Sequence, residues 1–296
     1  MLAAELGRRT GAIVPPEAQF FMDGVRAANR EGGGRELEVF ARVVCDHWRT
    51  ALWIPAGGAR DNLRDELASA LTLADAMKAL VDRYRTVMGL PSSAAWIDHT
   101  PSNVMYAHTL LGVFPEAPMI HLVRDPRAVA SSVIPLDWGP STARGAAGWW
   151  MSRTAAGLAA ESAFGNRVKR VLYEELLLEP DRVFAEILEW LAEYVLLVAP
   201  LRESGMRLSS YTAKQHALVG GPIDATRATA WRAQLSSHDI AIIEGEVQDL
   251  LPLLGYATDG VAPAERVPRR PEEILNEASR ALLNRGRAQC RRTRAR

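Results

Sequence analysis

Met119-Ile-His-Leu-Val-Arg-Asp-Pro-Arg-Ala-Val-Ala-Ser-Ser132 reads as a strand that stops on an arginine and turns at once into a helix. Met119 to Val123 form an apolar run of the length expected for an inner strand of a parallel sheet. Asp125 is a helix-capping residue, and Pro126 suits the first helical position, where its missing N–H would have no partner anyway. Arg124 then stands at the carboxyl end of a central strand, the edge of an open α/β sheet where ligands bind. A guanidinium there offers a planar fork for a phosphate. Ser132 follows about two turns along the helix, at roughly 3.6 residues per turn, as a second donor. Pairing of Arg124 with Asp125 or a neighbouring carboxylate accounts for the stretch equally well, so this segment alone leaves both readings open.

The flanking sequence alternates strands and helices. Ala95-Trp-Ile-Asp98 reads as a short strand, and Thr100-Pro101 as the start of a helix with Val104, His108 and Leu111 on one face. On that face His108 is expected in the core. Val168 to Leu172 reads as a third strand ending on Tyr173, and Pro180 opens a helix with Val183, Phe184, Ile187, Leu188 and Leu191 at core spacing. Helices are also expected over 2–10, ending near Gly11, and over 34–51, 62–88 and 143–163. The last carries Trp149 and Trp150 on different faces, at least one of them in the core. Ile13-Val-Pro-Pro-Glu17 is an extended connector, because its prolines forbid helix. Residues 204–230 read as a long loop, and Ser236-x-x-Asp239 as a capping box before Ile242, Ile243 and Val247. The expected architecture is α/β, a parallel sheet flanked by helices. It spans a domain over 1–257, followed by a linker, an amphipathic helix over 272–289 and a basic tail in 258–296.

The 296 residues suffice for a large core, and 48% hydrophobic with 24% charged residues fits a globular chain. The formal net charge is zero, which counts against a nucleic-acid partner. The end of the chain is locally basic, however, with Arg285, Arg287, Arg291, Arg292, Arg294 and Arg296 and no acid among them. Such an end is a solvated terminus or an arm for an anionic surface or nucleic acid. The two cysteines, Cys45 and Cys290, have no metal-ligand spacing and imply no disulfide framework, so a cytoplasmic setting is expected. No apolar run approaches the ~20 residues of a membrane helix, and no membrane partner is expected.

The Arg124-Asp-Pro-Arg…Ser132 segment resembles the 3′-phosphate-binding motif of sulfotransferases that use 3′-phosphoadenosine 5′-phosphosulfate (PAPS). Trp96-Ile-Asp-His-Thr-Pro101 is similar to that family's W-x-x-K-T-P strand end. Val171-Leu-Tyr-Glu-Glu-Leu176, with Glu179-Pro180, is similar to its Y-E-D-L…D-P strand and helix start. Gln215-His-Ala-Leu-Val-Gly220, with Arg227 and Trp231-Arg232, resembles the late loop of bacterial members and, more distantly, of tyrosylprotein sulfotransferases. Leu253-Leu-Gly-Tyr256 resembles their usual ending. The ordered set implies a P-loop-type α/β sulfotransferase fold and transfer of a sulfuryl group from PAPS, without a metal, to a hydroxyl of a small molecule, sugar or peptide. It implies Arg124 and Ser132 on the 3′-phosphate and Tyr173 against the adenine.

Two departures matter. Family members open with a strand and a P-R-S-G-T-T loop whose N–H groups hold the 5′-phosphosulfate. No such loop is present, since Gly32-Gly33-Gly34 and Gly57-Gly58 lack the following Lys, Ser or Thr. Met1-Leu-Ala-Ala-Glu-Leu-Gly7 resembles the middle of the helix after that loop. The simplest expectation is an N-terminally truncated chain with a start assigned too late. The rival is a product that has lost donor activation and survives as a non-catalytic nucleotide-binding or interaction protein. His99, in turn, stands where the family's lysine contacts the transferring group, as a hydrogen-bond donor or a base. Glu17 is the candidate general base, because an alcohol attacks poorly while protonated; a solvated loop carboxylate is the other reading. Arg127 is open between phosphate and solvent, and Trp231 reads as a packing anchor. His216 and Ser209 or Ser210 belong to the late loop.

Overall fold

The computed structural model of the chain describes residues 1–55, 60–90, 95–136, 138–195, 221, 223–259 and 271–294. Contacts divide the chain into two compact units, one built on Met1–Ala117, the other on Pro118–Phe184 and Ile223–Cys290. Most of the expected late loop and linker, including Ser209, Ser210 and His216, lies outside the described residues, as do Gly57 and Gly58.

In the first unit Gly11 takes φ 72° and ends helix α1 (Leu2–Thr10) in the left-handed conformation that glycine tolerates. The extended connector follows. Ile13 donates to the Ala95 carbonyl at 3.1 Å and accepts from the Ile97 N–H at 2.8 Å, a parallel bridge to Trp96. The expected Ala95–Asp98 strand is reduced to this one bridge. Pro15 and Pro16 have no N–H with which to extend the ladder.

Helix α2 (Gln19–Glu31), which the sequence reading leaves unassigned, buries Phe20, Phe21, Gly24, Val25 and Ala28. It packs on α3 (Glu36–Asp46), where a Cβ on Gly24 would meet the Phe40 ring at 2.7 Å. The helix expected over 34–51 stops at Asp46; His47 is extended, and α4 (Thr50–Trp53) is a separate turn.

The helix expected over 62–88 is likewise two, α5 (Leu63–Ala68) and α6 (Leu73–Val87). Thr72 accepts from the Asp75 N–H at 3.1 Å and starts α6 afresh. Leu71, in the break between the two helices, is 91% exposed. A 3-10 segment, Pro101–Tyr106, precedes α7 (Ala107–Val113). Its tighter winding shifts the phase, so Ala107, Leu110 and Leu111 are buried and His108 is exposed rather than in the core.

The second unit holds the two full strands, β1 (Met119–Val123) and β2 (Val168–Leu172), paired in parallel from Met119↔Val168 to Val123↔Leu172. That register sets the residues that follow the two strands, Arg124 and Tyr173, side by side at the carboxyl edge. Helix α8 (Pro126–Val133) leaves β1, and Asp125 caps it by accepting from the Arg127 N–H at 2.8 Å. Helix α9 (Ala143–Phe164) leads into β2, which α10 (Tyr173–Leu178) and α11 (Pro180–Leu191) follow. The later chain gives α12 (Trp231–Gln234), α13 (Ser237–Val247), capped by Ser236 as expected, α14 (Leu250–Leu253) and α15 (Pro271–Arg294). Val123, Ala130, Ala147, Trp150, Ile243 and Leu251 share one core. The fold is α/β, dominated by helices around parallel strands.

Buried in β1, His121 holds its Nδ1 at 2.6 Å from Glu161 Oε1, and Glu161 also pairs with Arg170. The imidazole lies against Gly157 of α9, where a Cβ would overlap the ring. Alanine favours helix over glycine by roughly 0.5–1 kcal/mol, whereas overpacking a filled site costs about 1–3 kcal/mol. Gly157→Ala is therefore expected to lower the denaturant midpoint, and an equal or higher midpoint would contradict this packing.

Candidate functional site

Arg124 is held by its backbone on both sides. Its carbonyl accepts from the Trp150 indole at 2.8 Å, and the next N–H, of Asp125, donates to Glu174 Oε1 at 3.0 Å. Tyr256 donates its hydroxyl to the other oxygen of Glu174 at 2.8 Å, a contact between residues 82 apart in sequence. The Arg124 guanidinium lies 4.7 Å over the Tyr173 ring. Arg124 is half-buried, and its Nε is buried without a hydrogen-bond partner among the described residues. The nearby carboxylates are committed elsewhere, Asp125 to Arg127 and Glu174 to Asp125 and Tyr256. Among the described residues Arg124 therefore has no ion pair, against that reading of the segment. Burial pushes the guanidinium below its ordinary pKa, and the charge of half-buried Arg227 acts the same way against the pull of Tyr173, Glu174 and Asp125. An anion at this edge would relieve both effects.

Three residues on, Arg127 does neither thing left open for it. It is buried, donating from Nε and Nη2 to Asp125 at 3.0 and 2.7 Å and from Nη1 to Glu244 at 2.5 Å. Its guanidinium also lies 4.2 Å over Trp231, which is buried as the expected anchor. Ser132 is exposed in the last turn of α8, and its hydroxyl makes no hydrogen bond among the described residues. Trp150 is buried and Trp149 half-buried, in keeping with their positions on different faces of the helix.

The other candidates lie in the first unit, along the single bridge. Ala18 N–H donates to Thr100 Oγ1 at 2.7 Å, and Asp98 accepts from the Thr100 hydroxyl at 2.6 Å. His99 Nε2 is 3.1 Å from the Pro15 carbonyl. A carbonyl only accepts, so Nε2 carries the proton and Nδ1 is the acceptor in the neutral ring. Glu17 is not a solvated loop carboxylate. Its side chain is 17% exposed, and Oε2 lies 3.3 Å from Nη1 of Arg49, itself stacked on Trp48. Oε1 keeps no hydrogen bond among the described residues.

A family model described as the sulfotransferase family matches residues 11–194, which include Glu17, His99, Arg124, Ser132 and Tyr173. The chain belongs to the sulfotransferase family. Two solved structures share the fold. The sulfotransferase domain of the Synechococcus PCC 7002 olefin synthase has a TM-score of 0.57 and 22% identity, over 85% of this chain and 88% of that one. The sulfotransferase domain from the curacin biosynthetic pathway has a TM-score of 0.57 and 18% identity, over 85% and 91%. No curated protein sequence matches the chain.

In this sulfotransferase Glu174 and Tyr256 enter the sequence patterns only as landmarks. Their joint hold on the backbone after Arg124 is a tertiary contact that no spacing announces. Arg49 as the partner of Glu17 carries no sequence signal either.

Two measurements test these assignments. Removing the Arg127 cation strands two buried carboxylates, so Arg127→Met is expected to cost about 3–5 kcal/mol in chemical denaturation; a loss below 1 kcal/mol would contradict its structural role. Burial first, and then Glu174, raises the Tyr256 pKa above its ordinary 10.0. A raised pKa gives stability that is full below pH 10 and is lost as pH rises towards the folded value. Tyr256→Phe is expected to flatten the decline in stability between pH 10 and 12, and an unchanged slope would contradict the Glu174 contact.

Proposed function

We propose that this sulfotransferase moves a sulfuryl group from PAPS to a hydroxyl of a small molecule, sugar or peptide. The observation that carries the donor half is Arg124, a guanidinium at the strand edge that is stacked, partly dehydrated and without a carboxylate partner among the described residues. The 3′-phosphate would accept from it in the bidentate geometry that arginine favours. Ser132 would be a further donor to that phosphate. Tyr173, beside Arg124, would pack its ring on the adenine side of the nucleotide.

In the reaction the acceptor oxygen forms a bond to sulfur as the bond from sulfur to the bridging oxygen breaks. Adenosine 3′,5′-bisphosphate leaves with that electron pair, and the hydroxyl proton goes to a base. Glu17 is the base of this reading. The Arg49 contact fixes its carboxylate by one oxygen and leaves Oε1 to accept the proton. His99, oriented by Pro15, would act through Nδ1, and as a donor to the transferring group only when doubly protonated. The chemistry calls for no metal. The cysteine pattern supports a cytoplasmic protein.

Sulfate transfer from PAPS to a panel of hydroxyl acceptors tests the reading. Arg124→Ala is expected to raise the KM for PAPS at least tenfold at little cost in stability, and Glu17→Gln to lower kcat at least a hundredfold with the PAPS KM held. Equal kcat in Glu17→Gln and the parent would remove Glu17 as base. Binding of adenosine 3′,5′-bisphosphate without any transfer would favour the non-catalytic nucleotide-binding protein instead.

A further inference from the structure

Helix α15 is attached to its unit by the wrong face for an amphipathic helix. Glu277 accepts from the Thr142 hydroxyl at 2.7 Å, Arg280 Nη1 donates to the Leu136 carbonyl at 3.0 Å, and Asn284 Nδ2 to the Trp138 carbonyl at 3.2 Å. Residues spaced by three, four and seven share a helix face, so these three polar side chains form one docking stripe. About half a turn away lie Leu275, Ala278 and Leu282, with Ile274 and Leu283 on the two flanks. All five are exposed, Leu275 and Leu282 by 66% and 67%. A docked helix ordinarily buries its apolar stripe against the core; here the core side is polar and the aliphatic side faces out. The Trp138 side chain, next to the docking stripe, is also 40% exposed.

The charge along the same segment is one-sided. Three glutamates, Glu272, Glu273 and Glu277, stand near the start; the remainder holds seven arginines from Arg280 to Arg296 and no acid. Exposed aliphatic side chains followed by a run of cations match the two parts of a lipid surface, acyl chains below and phosphates above. We propose that α15 lies reversibly on an anionic phospholipid bilayer, with Leu275 and Leu282 entering the acyl boundary and the arginines on headgroup phosphates. It lies on the surface rather than across it, because no helix among the described residues is long and apolar enough to span a membrane.

Other occupants fit less well. Coiled-coil pairing with a second copy would continue the seam Leu275, Ala278, Leu282 into Arg285, Gln289 and Arg292, so the apolar contact ends after two turns. Five partly exposed aliphatic residues also fall far short of the about 800 Å² per partner that a stable dimer buries. Nucleic acid would take up the arginines and leave the leucines in water.

Co-sedimentation of the full chain with vesicles tests the proposal. The protein is expected to pellet with phosphatidylcholine vesicles containing a quarter phosphatidylglycerol, and to stay in solution with phosphatidylcholine alone. Leu275→Glu with Leu282→Glu should weaken that binding at least tenfold, and so should Arg291→Gln with Arg292→Gln and Arg294→Gln. Raising the salt to about 1 M, where the Debye length falls to about 3 Å, should release the protein. No pelleting on anionic vesicles, equal pelleting on both compositions, or undiminished binding by the leucine variant would overturn it. A dimer seen by analytical ultracentrifugation without lipid and abolished by Leu282→Glu would also overturn it and give the face to a second copy. All of these variants lie outside the nucleotide and acceptor residues, so loss of vesicle binding with unchanged nucleotide affinity separates this surface from the proposed catalysis.

Discussion

Burying part of Arg124 costs hydration that no carboxylate among the described residues repays with a hydrogen bond, and its neighbours either hold its backbone in place or occupy the nearest carboxylates. The parallel register sets Tyr173 beside it, and the ring supplies a face in place of a counter-ion. Trp150 and Glu174 fix the peptide groups on either side. Glu174 is near enough to be felt by the guanidinium, yet both its oxygens accept from other donors. The strand edge is thus built around a cation whose hydrogen-bonding capacity is left over, and a bound anion would use it.

The two arginines of the Arg-Asp-Pro-Arg stretch show how position divides their work. Arg127 turns inward and is neutralised by Asp125 and Glu244, with Trp231 beneath it. It ties the cap of α8 to α13. Because Asp125 is spent on Arg127, Arg124 is spared an ion pair. The structural arginine therefore helps to leave the hydrogen-bonding groups of its neighbour unspent.

Strand β1, its capped helix and strand β2 were legible because short apolar runs ended by Asp-Pro or by a register-matched tyrosine have few alternative readings. Helix α2 was not, because it has no capping side chain and follows two prolines. The break between α5 and α6 was hidden by continuous periodicity, although Thr72 with Asp75 carried the signal of a new helix start. His108 was misplaced because a 3-10 segment changes the number of residues per turn, and sequence spacing does not reveal that. The position of Arg124 at the end of β1 was legible; its lack of a carboxylate partner among the described residues depends on Glu174, Tyr256 and Glu244, whose contacts form only in the folded chain.

The most direct measurement is a cycle of affinities by calorimetry. Adenosine 3′,5′-bisphosphate and adenosine 5′-monophosphate are each titrated into the parent and into Arg124→Ala. If the guanidinium grips the 3′-phosphate, the parent prefers the bisphosphate by at least tenfold and the variant binds the two ligands alike. A variant that keeps the parent's full preference would show that the 3′-phosphate is held elsewhere and that Arg124 is stacked on Tyr173 for another reason.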